Sequence, residues 1–153
     1  MDLPTFESGE KEMFDMLKEG KLNNLTALSR HIYEMNKKAG WWTDADIEIL
    51  KRSQSEGNKY SKEAATLIAA KLALCHSELS EALEGMRKGL MDDHLPHFPM
   101  IVVELADTII RICDLAGFLG LNLGSAVHEK LEYNQTREDH KILTRAGAGG
   151  KTI

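Results

Sequence analysis

Two pairs of acidic residues, each with a three-residue spacing, are the part of the sequence best suited to chemistry. Glu78 and Glu81 form the first pair, and Glu104 and Asp107 form the second. Residues at i and i+3 share one face of a helix, and the segment 101–110 is otherwise strongly apolar, which predicts a buried helix. Burial and mutual repulsion disfavour ionised carboxylates, so a divalent cation among the four groups would relieve the conflict. The pairs therefore predict a metal site, with surface carboxylates paired to Lys and Arg as the alternative.

The residue types around this site indicate a hard cation. Di-iron bundles use a Glu-x-x-His step, and no His stands three residues after any Glu in this sequence. Carboxylate oxygens suit Mg²⁺, with Mn²⁺ as an alternative, and Mg²⁺ commonly shares its coordination with substrate phosphates. At about 1.5 Å per residue, the two pairs would lie at matching depths in an antiparallel hairpin. We therefore expect a helix hairpin to carry the metal site.

Capping residues, apolar periodicity and helix-breaking glycines predict an all-α chain without strands. The predicted helices span 10–19, 24–39, 43–52, 62–88, 99–119 and a last segment that begins after Asn122. Short links between them favour a bundle of four or five helices. The hairpin formed by 62–88 and 99–119 is so apolar that we expect oligomerisation to complete its burial.

Composition and charge limit the class of protein. The chain of 153 residues has 42% hydrophobic and 28% charged residues, as ordinary soluble domains have. Its formal net charge of −5 argues against general nucleic-acid binding. The sequence has neither an apolar run of membrane-spanning length nor a signal-peptide pattern at its start, so we expect a cytoplasmic protein without a membrane partner. Cys75 and Cys113 lie in apolar helical segments and are expected to be buried, reduced thiols.

The last predicted helix carries a polar edge suited to a polyphosphate. Lys130, Asn134 and Arg137 follow the spacing i, i+4, i+7, which places two cations and an amide on one side. A solvated edge is the plain alternative.

Two further cations accompany the acidic pairs. Lys71 precedes Glu78 by two turns on a similar face, and Arg111 follows Asp107 by one turn, so both are candidate substrate-binding residues. Arg111 has three alternative roles: to orient the Asp107 carboxylate, to contact phosphate, or to form an intrahelical ion pair.

Adjacent tryptophans follow the helix that contains His31. Trp41 and Trp42 are the only tryptophans in the chain, and an indole can stack on a nucleobase or pack in the core. The sequence leaves both interpretations open.

Taken in order, the acidic and basic motifs resemble those of the MazG-like all-α nucleoside triphosphate pyrophosphohydrolases. The order is E-x-x-E within 71–84, E-x-x-D within 103–111, and K-x-x-x-N-x-x-R over 130–137. The resemblance covers roughly residues 24–137. It implies a domain over 21–137, preceded by an N-terminal extension at 1–20 and followed by a flexible tail at 138–153.

The resemblance also implies a role for each motif. Mg²⁺ would be held by Glu78, Glu81, Glu104 and Asp107. The triphosphate would be contacted by Lys130, Asn134 and Arg137, and the base by His31 and by Trp41 or Trp42.

The implied reaction hydrolyses a nucleoside triphosphate, with a deoxynucleotide expected, to the monophosphate and pyrophosphate. Glu81 is our candidate for the general base, and Lys130 and Arg137 would stabilise charge on the pyrophosphate leaving group. The partner implied is a second copy of the chain, in a homodimer or a dimer of dimers. Two alternatives are a non-catalytic helical module that binds a nucleotide or protein, and a different Mg²⁺-dependent phosphohydrolase on the same bundle.

Overall fold

A computed structural model describes residues 23–54 and 60–137 of the chain. Within these ranges there are five α-helices and no strand, which confirms the all-α prediction. The helices are α1 Asn23–Lys38, α2 Asp44–Gln54, α3 Lys62–Lys88, α4 Met100–Phe118 and α5 Leu123–Thr136. The predicted helix at 10–19, the extension at 1–20 and the tail at 138–153 lie outside the described residues. None of the five helices combines the length and apolarity that a membrane span requires.

Helix boundaries follow the capping residues. The Ser61 hydroxyl accepts a hydrogen bond from the Ala64 backbone N–H at the start of α3, and the Asn122 side chain accepts one from Ser125 at the start of α5. Thr43 and Asp46 exchange hydrogen bonds at the start of α2. These side chains pair backbone donors that the first helical turn leaves without partners, so the starts predicted for α2, α3 and α5 are confirmed.

The chain divides into two compact units. The larger unit comprises Thr26–Leu121 and contains α2, α3, α4 and nearly all of α1, whereas α5 belongs to the other unit.

In the larger unit, α3 and α4 form an antiparallel hairpin. The connecting segment contains an antiparallel bridge between Met91 and Pro99, and Gly85 near the end of α3 faces Met100 at the start of α4. The ends that the connector joins therefore lie side by side, and the predicted hairpin is confirmed.

The core of this unit lies at the far end of the hairpin. Its buried residues are Trp42, Leu50, Leu115 and Phe118, with Tyr33, Ile47, Leu67, Ile68 and Leu119 packed against them. These residues come from α1, α2, α3, α4 and the turn after α1. The core thus fixes α1 and the turn that contains Trp41 and Trp42, here called the tryptophan turn, against the hairpin.

Close contact between α1 and α4 requires a glycine in α4. A Cβ atom at Gly117 would overlap the Ser29 carbonyl oxygen and lie 2.6 Å from Tyr33 Cβ. Since the obstructing oxygen belongs to a helical backbone, it cannot move as a side chain can.

We expect Gly117→Ala to lower the free energy of unfolding by about 1–3 kcal/mol, because the added methyl group must push α1 away. Denaturant unfolding followed by circular dichroism would measure the change. Ser80→Ala, at an exposed position of α3, is the control and should leave the free energy of unfolding almost unchanged. Equal stability of the two variants would contradict this account of the α1–α4 contact.

Candidate metal and ligand site

Three carboxylates meet where α3 and α4 pack together. Oxygen atoms of Glu78, Glu104 and Asp107 lie within 4.8 Å of one another. Glu78 and Glu104 are buried, and Asp107 is half-buried. Two oxygens bound to one Mg²⁺ are at most about 4.2 Å apart, since each bond is about 2.1 Å long. The donor set and its spacing are therefore close to what a single hard cation requires.

Arg111 pairs across the hairpin and not along its own helix. Its Nε donates to Glu78 Oε1 at 2.5 Å. Three ionised carboxylates and this one guanidinium would leave two negative charges, which is the charge that one divalent cation balances. Of the three roles open to Arg111 from the sequence, the contact supports positioning, although of Glu78 and not of Asp107.

The electrostatics show the cost of placing these carboxylates together. Burial raises the pKa of Glu104 from its ordinary 4.5 to about 7, and a hydrogen bond with Glu78 and the charges of Glu81, Glu78 and Asp107 add to the rise. Burial also raises the pKa of Asp107, with a contribution from Glu78, while Arg111 offsets part of that increase. A bound cation would favour the ionised forms and lower both pKa values.

Glu81 stands apart from the three clustered carboxylates. It is exposed on α3 and lies outside the group whose oxygens come together. Its charge nevertheless acts on Glu104. The structure thus brings together three of the four predicted metal ligands and leaves the fourth within electrostatic range. A general base that is not bound to metal needs such freedom, and that role for Glu81 stays a prediction.

A cleft of about 220 Å³ adjoins the carboxylates and shares Asp107 with them. Its other lining residues are Asn36, Trp41, Lys71, Leu74, Ile110, Arg111 and Asp114. Three residues predicted to bind substrate, Trp41, Lys71 and Arg111, therefore line one cleft. A ligand in this cleft would meet an aromatic surface, two cations and one member of the carboxylate group.

The two tryptophans take different positions. Trp41 is 67% exposed, so its indole face is available to a ligand. Trp42 is 3% exposed and stacks on Phe118 with ring centroids 3.9 Å apart. Its indole N–H donates to Asp114 Oδ1 at 2.9 Å. The structure therefore places Trp42 in the core, where it supports the cleft from behind and cannot stack on a base.

Lys71 holds the tryptophan turn to α3. Its Nζ lies 3.4 Å from the Trp41 carbonyl oxygen and 4.0 Å from the centroid of the Trp42 ring. The ammonium group thus lines the cleft from a position set by both tryptophans. His31, by contrast, is exposed on α1 and is not among the residues that line the cleft.

The polar edge predicted for the last helix lies on α5, in the other unit. Lys130 is exposed, and its Nζ lies 4.7 Å from the Tyr133 ring centroid, with the Arg137 guanidinium 6.0 Å from the same ring. The buried Oδ1 of Asn134 accepts no hydrogen bond from the described residues. A phosphate offers only acceptors, so the Asn134 amide could meet it through its N–H groups and not through this oxygen, and the phosphate-binding role stays a prediction.

Two polar residues of the cleft, Asn36 and Asp114, were not predicted from the sequence. Asp114 follows Asp107 and Arg111 at i+7 and i+3, so helical spacing already placed it on their face of α4. Asn36 lies one turn before the tryptophan turn, and no spacing in the sequence linked it to the carboxylates. Cys75 and Cys113 are free and buried, as expected, and burial raises the pKa of the Cys75 thiol.

In comparisons with known proteins, no family model, curated protein or solved structure matches this chain.

The raised Glu104 pKa predicts how metal-free protein responds to pH. The folded state binds more protons than the unfolded state between pH 4.5 and about 7, so stability should fall as pH rises through this range, by on the order of 1–3 kcal/mol. Thermal unfolding in EDTA would measure the loss. Glu104→Gln should abolish most of it, whereas Glu84→Gln, which changes a half-exposed carboxylate paired with Arg87 and Lys88, should not. An unchanged pH profile in Glu104→Gln would contradict the assignment.

Proposed function

We propose that the protein is a Mg²⁺-dependent nucleoside triphosphate pyrophosphohydrolase. The observation that carries this proposal is the shared Asp107, which belongs both to a group of three carboxylates and to a cleft lined by Trp41, Lys71 and Arg111. A nucleoside triphosphate has the matching parts, since its base needs a flat apolar surface and its phosphates need cations.

Glu78, Glu104 and Asp107 would hold the metal, with Glu81 as a further ligand or as the base. Mg²⁺ in such a site supplies charge neutralisation of phosphate oxygens and a bound water of lowered pKa. Arg111 holds Glu78 through Nε, and no described residue pairs with its terminal amino groups, which leaves them for a phosphate oxygen. Lys71 offers a second cation in the cleft. Glu81, which is exposed on α3, would accept the proton of an attacking water.

Attack at the α-phosphorus would release pyrophosphate and leave the nucleoside monophosphate. Lys130, Asn134 and Arg137 are proposed to contact the leaving phosphates. This proposal rests on their motif.

Hydrolysis is tested with a panel of nucleoside and deoxynucleoside triphosphates and Mg²⁺, with products separated by chromatography. We expect monophosphate and pyrophosphate, and a loss of about 100-fold or more in Glu104→Gln, since even residues outside the ligand shell of a metal cost 10–100-fold. Glu84→Gln, on α3 but outside the carboxylate group, should retain activity. Orthophosphate as the product would favour a different phosphohydrolase. No product with either Mg²⁺ or Mn²⁺ would favour a binding module.

We further propose that the hairpin self-associates and that the helix bundle is completed by a second copy. Large apolar residues that are 41–55% exposed form one stripe on each helix: Leu72, Leu79, Leu83 and Met86 on α3, and Val102, Leu105, Ile109 and Ile112 on α4. Each stripe follows a helical period, so each is one side of its helix. Soluble monomers rarely expose continuous apolar surface of this kind. A second copy is the occupant we infer, because it would bring an equally apolar surface.

Light scattering coupled to size-exclusion chromatography should therefore find a dimer or tetramer at micromolar concentration. Leu83→Glu and Ile109→Glu should each shift the population toward monomer, because a charge within the buried interface would be desolvated. Met35→Glu, an exposed apolar residue on α1, is the matched control and should leave the assembly intact. A monomeric wild-type protein would refute self-association.

A further inference from the structure

Asp114 is a buried carboxylate in the wall of the cleft. It is 8% exposed, lies on α4, and shares the cleft with Asn36 and Trp41. Its Oδ1 accepts the hydrogen bond from Trp42 Nε1. Because the Trp42 ring is itself fixed by stacking on Phe118 in the core, the orientation of the Asp114 carboxylate is set from behind.

The second oxygen of this carboxylate, Oδ2, has no hydrogen-bond donor among the described residues. Of the two cations that line the cleft, Lys71 is held at the Trp41 carbonyl and the Trp42 ring, and Arg111 is paired with Glu78. An ionised carboxylate is an acceptor only, and a ligand that displaced water from Oδ2 without offering a donor would lose about 1–3 kcal/mol. The cleft therefore favours a ligand that brings an N–H group to Asp114.

The other walls indicate what that ligand looks like. The exposed Trp41 indole offers a flat aromatic surface, and Leu74 and Ile110 are apolar. At about 220 Å³, the cleft is smaller than the roughly 300–1,000 Å³ typical of drug-sized ligands. A single-ring base with a donor group on its edge fits this combination.

Among pyrimidines, one edge distinguishes cytosine from uracil and thymine. Cytosine carries an amino donor at N4, whereas uracil and thymine carry a carbonyl acceptor at O4. A carboxylate accepts from the cytosine amino group, which is how Asp and Glu read cytosine in nucleic acids. With uracil in the same position, its O4 carbonyl would face the Asp114 oxygen, where acceptor meets acceptor. Its N3–H donor lies one ring position away and would reach Asp114 only if the base shifted.

We propose that Asp114 is a specificity-determining residue that makes cytosine the preferred base of this cleft. The proposal rests on the proposed function and deepens it by naming the base. It assigns Trp41 to stacking, Asp114 to the amino group, and Trp42 to holding Asp114 in place.

The test compares kcat/KM for dCTP and dUTP, two substrates that differ only at the edge in question. We expect the wild type to favour dCTP by about tenfold or more, since a hydrogen bond to a charged group contributes about 1.5–3 kcal/mol. In Asp114→Asn, the amide oxygen can still accept from Trp42 while the amide N–H donates to O4 of uracil. The dCTP preference should then fall by at least about tenfold. Equal wild-type values for the two substrates would overturn the proposal even if Asp114→Asn fails to fold.

Binding of the monophosphates separates this proposal from the proposed reaction. Titration calorimetry with dCMP and dUMP needs no turnover, and we expect dCMP to bind the wild type about tenfold more tightly or better, with the difference lost in Asp114→Asn. Tighter dCMP binding without hydrolysis of any triphosphate would refute the reaction and support the base preference. Hydrolysis of triphosphates with no preference between cytosine and uracil would do the reverse. Near-UV circular dichroism of Asp114→Asn controls for displacement of Trp42.

Discussion

Repulsion among Glu78, Glu104 and Asp107 is the constraint on which the rest of the larger unit depends. Their oxygens are close enough to share one cation, and burial already raises the pKa of Glu104 to about 7. Only Arg111 among the described residues forms an ion pair with the group. The α3–α4 contact therefore carries an electrostatic cost that a protein built for stability alone would avoid, since apolar residues of similar size pack there at no such cost. A cation bound by the three carboxylates would offset this cost.

Helix α4 connects the carboxylate group to the cleft. Asp107, Arg111 and Asp114 occupy successive turns of α4 and all three line the cleft, with the carboxylate group at one end and the Trp42–Asp114 hydrogen bond at the other. The core at the same end of α4 fixes Trp42, and through it the turn that presents Trp41. The packing of the core therefore also positions the walls of the cleft. This is why Gly117, which lets α1 approach α4, matters to a site it does not touch.

Features with local causes could be predicted from the sequence. Ser61, Thr43 and Asn122 cap their helices through hydrogen bonds to residues three positions away, so the helix starts were readable directly. The carboxylate pairs were equally readable because their spacing places them on one helix face. Features that depend on tertiary packing could not be predicted from the sequence. The dipeptide Trp41-Trp42 does not indicate which indole enters the core. The choice depends on packing against Phe118, which is more than seventy residues away. Arg111 crosses to Glu78 and not to Asp107 for the same reason.

The most direct test of the central claim is a titration of metal-free protein with Mn²⁺, followed by electron paramagnetic resonance, with Mg²⁺ added as a competitor. The account predicts saturable binding at the carboxylate group, displacement by Mg²⁺, and loss of that binding in Glu104→Gln but not in Glu84→Gln. Binding that is unchanged in Glu104→Gln, or absent from the wild type, would contradict it. The three carboxylates would then be a structural cluster and the cleft would lack its metal.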